Sequence, residues 1–379
     1  MSMLYGLNGE ISPACDGWEF IPSEAKDGIT FNPAEGYYPD KGGKLMGPEI
    51  PGVEEFQYYS LSFEAESRDG GHWAVFFLND AGKLITADVY ASIYNEQINL
   101  PHQIFGKERN NSKGLDLTDI NELVTLKKSL VNWFENNQAD VKASKTADSS
   151  NKTLHPVLNP ANHDEVVGYH QFAEPAEMLS MLEKADSTFN SWSQTPIAER
   201  AELLRRTADI LEEHMEELIG LCIKEAGKIA KDGVDEVREA VDFCRYYAAR
   251  AEELAEDSRL EPRGVIVCIS PWNFPLAIFL GQVVAAIVTG NTVLAKPAEQ
   301  TSLIAIRAIE LMKQVGLKEG VVQLVIAKGP EVGSTLLPDE RVKAVMFTGS
   351  TQTGTLISQI LAERGGEQVP LFAETGGQN

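Results

Sequence analysis

After Arg263 the sequence repeats a single unit, a short apolar run followed by a helical stretch. The apolar runs are 265–269, 292–295, 321–326, 344–347 and 371–373. They lack the polar–apolar alternation of a half-solvated strand, so both faces of each should be covered. Five such strands joined by crossover helices predict an α/β fold built on a doubly wound, five-stranded parallel sheet. That topology also dictates where chemistry sits, because ligands of open parallel sheets bind at the carboxyl ends of the strands.

The chain ahead of this repeat has a different character. Residues 1–95 read as a β-rich module. Tyr59, Leu61, Phe63 and Ala65 alternate with Ser60, Ser62, Glu64 and Glu66, the pattern of a half-buried strand. Turn residues at 68–71 and 79–82 separate it from an apolar run, Trp73–Leu78, and from a third strand ending near Val89 and Tyr90. The outline is similar to part of a carbohydrate-binding β-sandwich, with fewer strands than a complete one. Residues 96–150 comprise an irregular polar stretch, a helix over 119–136 and a linker almost without apolar residues. Residues 151–172 suit a hairpin or edge strands, and two long helices follow. In the first, Thr195 is placed to cap the amino end with Pro196 at the first helical position. Ile197, Ala201, Leu204, Ala208, Leu211, Met215 and Leu218 then recur at helical spacing. The second spans 234–255.

At 379 residues the chain is long enough for two or three domains. Its 33 basic and 56 acidic side chains leave a net charge of −23, which repels phosphate backbones and argues against nucleic acid as a partner. No apolar stretch approaches the roughly 18 residues of a membrane span. The first residues, MSMLYGLNGE, carry no basic region leading into an apolar run, so no signal peptide is expected. The four cysteines, Cys15, Cys222, Cys244 and Cys268, are scattered without a CxxC pair, as for reduced thiols of a cytoplasmic protein. No metal-ligand spacing is present.

Four motifs fall at predicted strand ends. Ser270-Pro271-Trp272-Asn273-Phe274-Pro275 is bracketed by prolines and must be a shaped loop. It presents Asn273, whose carboxamide can donate to a developing oxyanion. Lys296 and Glu299 in KPAEQT can together hold the two vicinal hydroxyls of a ribose, one donating and one accepting. Thr348-Gly349-Ser350 opens a helix whose free amides and dipole suit a pyrophosphate. Glu374, followed by two glycines, can act as a general base in a cleft. Taken singly, each has a plainer reading: a turn asparagine, a solvated ion pair, an ordinary helix start and an exposed or capping acid.

In order and placement together, PWNFP, KPAEQT, FTGS and ETGG resemble the signature segments of the aldehyde dehydrogenase superfamily. LPHQIFGKERNNSKGLDL, KEAGK, VREAVDFCRYYAARAEE and AETGGQN are similar to the L-glutamate γ-semialdehyde dehydrogenase half of bifunctional proline-utilisation proteins. The resemblance spans about 97–379, with 151–379 as the NAD-binding domain. It does not reach 1–95, where a proline-oxidising barrel would be expected.

The resemblance implies a cysteine thiolate attacking the aldehyde, hydride transfer to NAD, and hydrolysis of the thioester by water activated by a glutamate. It implies Asn273 as the oxyanion donor and Glu374 as the base. It assigns Ser270, Pro271, Trp272, Lys296, Glu299, Thr348, Gly349 and Ser350 to the cofactor, with Thr348 at the nicotinamide end, and Glu225 of KEAGK to the lining of an aldehyde tunnel. The family's nucleophile lies downstream of ETGG, whereas the four cysteines here all precede it. Cys268 sits in an apolar run, where burial disfavours a thiolate. Cys222 and Cys244 suit helix packing. The expectation is therefore a dehydrogenase NAD-binding domain incomplete at its carboxyl end, without competence for turnover and without the family's oligomerisation strand. A non-enzymatic nucleotide- or carbohydrate-binding fusion protein is the alternative.

Overall fold

The five apolar runs form one parallel sheet. In the computed structural model the strands are β3 (Val265–Ile269), β4 (Thr292–Lys296), β5 (Val322–Leu324), β6 (Val342–Gly349) and β7 (Leu371–Thr375). Their order across the sheet is β5-β4-β3-β6-β7, and every pairing is parallel. The chain starts in the middle, winds outward to one side, then crosses to the other. That crossing opens a crevice beside the carboxyl end of β3. The structure describes residues 103–136, 153–255 and 260–376, together with short strands within 2–86.

Why the strands read as unbroken apolar runs is visible in the packing. Ile266 and Cys268 of β3, with Val293 and Ala295 of β4, belong to one core; Val265, Val267, Leu294 and Val345 belong to another. The first core lies beneath α3 (Ile197–Glu213), α5 (Ala230–Leu254), α6 (Ala277–Val288) and α7 (Ser302–Gln314). The second lies beneath α2 (Pro175–Ser193), α8 (Gly329–Thr335) and α9 (Thr351–Glu363). Helix α6 is almost wholly apolar because it is buried nearly all round, Phe279, Leu280, Val283 and Ile287 among its covered residues.

Ahead of the sheet, α1 (Ile120–Asn136) corresponds to the predicted helix, and β1 (His155–Asn159) pairs antiparallel with β2 (Asn162–His170) as a hairpin. Four helices follow where two were expected. Pro175 stands in the first turn of α2, and Glu177 accepts from the Glu174 amide at 2.9 Å. Helix α4 (Met215–Ala226) follows α3 after His214 alone. The expected Thr195 cap is corrected: Pro196 is the capping residue, extended at φ −53° and ψ 141°, and the Thr195 hydroxyl turns back to Ser191 O at 3.4 Å. The polar stretch before α1 is strapped to α5, with Ser112 donating to Asp242 from both its amide and its hydroxyl at 2.9 Å.

Residues Met1–Ile98 form a separate unit from Asn99–Asn379. In it Trp73–Leu78 pairs antiparallel with Ser2–Gly6 and with Leu84–Thr86, and Ala65–Glu66 pairs with Glu10–Ile11. The rest of the alternating segment, 59–64, and the strand end at Val89 and Tyr90 lie outside the described residues, as does Cys15.

Candidate functional site

Because β3, β4, β6 and β7 run parallel, the loops after them emerge at one edge, and Asn273, Lys296, Ser350 and Glu374 share it. At the end of β3 the Ser270 amide donates to Lys296 O at 3.1 Å, which fastens this loop to the next strand. Ser270 Oγ is buried without a hydrogen-bond partner, Asn273 is half-buried, and Trp272 is 54% exposed.

At the end of β4, Lys296 is 4% exposed. A buried ammonium must be compensated. Its Nζ donates to Pro297 O at 3.0 Å and to Glu299 Oε2 at 3.1 Å, with Glu299 on a short 3-10 turn, Glu299–Thr301, leading into α7. Lys296 and Ile269 border a cavity of about 650 Å³ whose other walls include Pro330 and Val332 of α8 and Leu356 and Ile357 of α9.

After β6, Ser350 caps α9. Its Oγ accepts from Thr353 N at 3.2 Å, leaving the other first-turn amides for an anion. Gly349 admits no side chain, since a Cβ there would stand 2.7 Å from the Phe347 ring. Glu374 on β7 is exposed and accepts from Thr348 Oγ1 at 3.4 Å. Thr348 Oγ1 in turn accepts from Gln282 Nε2 of α6 at 3.0 Å. Gln282, Phe243, Tyr247, Met346, Phe372 and Glu374 enclose a second, smaller cavity of about 110 Å³. The Tyr247 hydroxyl is held above its ordinary range, chiefly by burial, with Tyr246 and Glu374 adding to it.

Glu225, which the resemblance assigns to an aldehyde tunnel, sits against the start of α7. It is 3% exposed, and its carboxylate accepts from Leu303 N at 2.7 Å and Ile304 N at 3.0 Å, closing the amino end of α7. Burial pushes its carboxyl up to about 8, although the α7 amides pull the other way. Two residues on, Gly227 ends α4 in the left-handed region at φ 67°. Lys228 then reaches the next motif, its Nζ lying 4.2 Å from the Phe274 ring centroid and 2.9 Å from Glu236 Oε1. Glu236, 1% exposed, accepts from Leu276 N at 3.3 Å and Ala277 N at 3.0 Å, capping α6 as Glu225 caps α7. KEAGK is thus a bracket behind two of the site loops.

Neither Glu236, Lys228 nor Gln282 was singled out from the sequence. A glutamate eight residues after KEAGK and a lone polar residue in apolar α6 were the only available signals. None of the three described cysteines reaches the edge. Cys222, Cys244 and Cys268 are buried, and burial pushes their thiols up, that of Cys244 to about 12. Among the described residues no cluster of His, Cys, Asp and Glu is placed to hold a metal, and no helix is long and apolar enough to cross a membrane.

Residues 146–379 match the model of the aldehyde dehydrogenase family. The chain belongs to that family. The bifunctional protein PutA of Escherichia coli is 43% identical over 300 residues, 78% of this chain and 23% of that protein. The 1-pyrroline-5-carboxylate dehydrogenase of Anoxybacillus flavithermus is 38% identical over 237 residues, 59% of this chain and 46% of its own. Among solved structures, a bifunctional proline utilization A protein superposes with a TM-score of 0.62 at 35% identity, over 74% of this chain and 26% of that one. A 1-pyrroline-5-carboxylate dehydrogenase from Thermus with bound NAD superposes at 0.64 and 29% identity, over 71% of this chain and 55% of that one. The aldehyde dehydrogenase chain described here therefore spans about a quarter of its PutA relatives and about half of the single-function enzymes.

Proposed function

We propose that the chain carries the NAD-binding half of an enzyme that oxidises L-glutamate γ-semialdehyde to glutamate in proline breakdown. The observation that carries this is the convergence of Asn273, the Lys296–Glu299 pair, Thr348–Ser350 and Glu374 on one edge of a parallel sheet. The chain's likeness to PutA and to a 1-pyrroline-5-carboxylate dehydrogenase supports the substrate.

The residues present fit NAD. Lys296, already turned toward Glu299, would bind the adenosine ribose at the mouth of the 650 Å³ cavity, with its apolar α8 and α9 walls against the base. Glu299 would repel a 2′-phosphate, so NAD is preferred over NADP. Ser270 Oγ, buried without a partner, and the first-turn amides of α9 would meet the phosphates, and Thr348 would lie toward the nicotinamide. NAD, when bound, accepts a hydride. Asn273 would donate to the substrate oxygen as charge gathers there, and Glu374 would take a proton from the hydrolytic water on its carboxylate.

The covalent step needs a thiolate beside Asn273, and no described cysteine offers one. These 379 residues alone would bind nucleotide and leave aldehyde unreacted. The acidic surface and scattered thiols favour a cytoplasmic protein with a small aldehyde, rather than nucleic acid, as its partner.

Titration calorimetry tests the cofactor assignment. Lys296→Ala removes a charged donor worth about 1.5–3 kcal/mol, so NAD should bind about tenfold to a hundredfold more weakly. Wild-type protein that does not bind NAD, or a variant with unchanged affinity, would overturn it.

A further inference from the structure

Helix α6 carries one polar side chain into the site. Gln282 is 8% exposed, and around it on the helix Phe279, Leu280 and Val283 are fully covered. Its Nε2 donates to Ile269 O, the last carbonyl of β3, at 3.3 Å, and to Thr348 Oγ1 at 3.0 Å. Thr348 lies on β6, and its hydroxyl donates to Glu374 Oε2 on β7. The three strands are consecutive in the sheet, with Ile269 beside Phe347 and Thr348 beside Glu374. One amide nitrogen therefore ties together the carboxyl ends of three strands, each of which delivers a motif of the site.

The other half of that amide is unsatisfied. Gln282 Oε1 is buried with no hydrogen-bond partner. Turning the amide over would not relieve it, because the oxygen would then face the Ile269 carbonyl. A buried acceptor left unpaired costs stability, and an apolar side chain of similar length would pack in α6 without that cost. A group that burdens the fold while touching two site segments is held there by the site.

We propose that Gln282 is a positioning residue for Thr348 and Glu374, a role that rests on the dehydrogenase assignment above. A hydroxyl has one proton and two lone pairs. With Nε2–H occupying a lone pair of Thr348 Oγ1, the Thr348 proton is left to the Glu374 carboxylate. Thr348 and Glu374 are thereby oriented as a pair at the nicotinamide end of the cofactor site, while the adenosine end depends on Lys296 and Glu299.

The two ends can be read separately on the full 379-residue chain, with ADP probing the adenosine end and NADH both. Gln282→Met keeps length and apolar packing and removes both amide functions. It should retain ADP affinity within twofold and bind NADH at least threefold more weakly. It should also lose the change in nicotinamide emission that accompanies NADH binding to wild type, and melt no lower than wild type. Thr348→Val cuts the same chain one link on and carries the test if the first variant does not fold. Because Gln282 acts through Thr348, the double variant should bind NADH no more weakly than the weaker single variant. Wild-type-like NADH binding and emission in Gln282→Met, additive losses in the double variant, or equal losses of ADP binding and thermal stability would overturn the proposal. Wild-type protein that binds neither ADP nor NADH would overturn the dehydrogenase assignment, and this role with it.

Discussion

Glu225 is decided by two opposing effects at a single carboxylate. Removal from water favours the protonated form, and the amides at the start of α7 favour the ionised one. Burial prevails, and the carboxyl stands near 8 against an ordinary value of 4.5. Between those limits the folded chain keeps a proton that the unfolded chain has released. The stability linked to this group is thus fully present below about 4.5 and is lost as pH rises through about 8. Urea unfolding of wild type and Glu225→Gln at steps from pH 5 to 8.5 checks this. Wild type should lose stability relative to the variant across that range, and parallel curves would remove the assignment. Nothing in the sequence assigned this glutamate to the start of α7. Composition and spacing place it on a helix, but only the packing of α4 against α7 reveals two amides waiting for it.

Between elements, the site depends on what lies behind its loops. The PWNFP loop is gripped on both sides of Phe274–Pro275, by Lys228 over the ring and by Glu236 on the first amides of α6. Lys228→Met removes the cation–π contact and leaves Glu236, 1% exposed, without its cationic neighbour. Hydrogen exchange over 270–277 should accelerate at least fivefold while the amides of β3 and β4 stay protected; unchanged loop exchange would dismiss the bracket. Arg200 has a comparable task at the opposite end of α6. It is 3% exposed, and its guanidinium donates to Val288 O at 2.8 Å, to Ser193 O at 3.3 Å and to Thr195 O, fastening the α2–α3 turn to the end of α6. Arg200→Met strands these acceptors and should cost about 2–4 kcal/mol in urea unfolding. Elements of this kind were only partly legible. α3 declared itself by its apolar spacing, whereas α4 was hidden because a single residue, His214, separates the two helices. Thr195 looked like a cap because its type suits one, but an extended Pro196 took that place.

At the scale of the whole molecule, the sheet was the most legible feature, and for a physical reason. A strand covered on both faces must be apolar at successive positions, so β3 could be read residue for residue, β4 and β7 needed only their last residues added, and β6 extends two residues further at each end. Strand ends then fixed where the motifs had to meet. Gln282 stayed invisible because its partners come from β3 and β6, which only the folded sheet brings to one helix. The same layering bears on catalysis. Cys268 precedes Asn273 by five residues, yet it is 2% exposed and turned into the core beneath α6, with its thiol pushed far above the usual range. To become a nucleophile it would have to leave the central strand of the sheet, which amounts to unfolding it. A thiol-reactive chromophore should therefore label no more than one cysteine of the native chain, Cys15, with Cys222, Cys244 and Cys268 released only by denaturant. On the proposed function a thiohemiacetal needs a thiolate beside Asn273, and none of the described cysteines supplies one. The purified 379-residue chain, given NAD and L-glutamate γ-semialdehyde, should produce no NADH above the uncatalysed rate even at enzyme concentrations that saturate with nucleotide. Steady formation of NADH would refute this, and its abolition by Cys268→Ser would show that β3 can surrender its cysteine to the site.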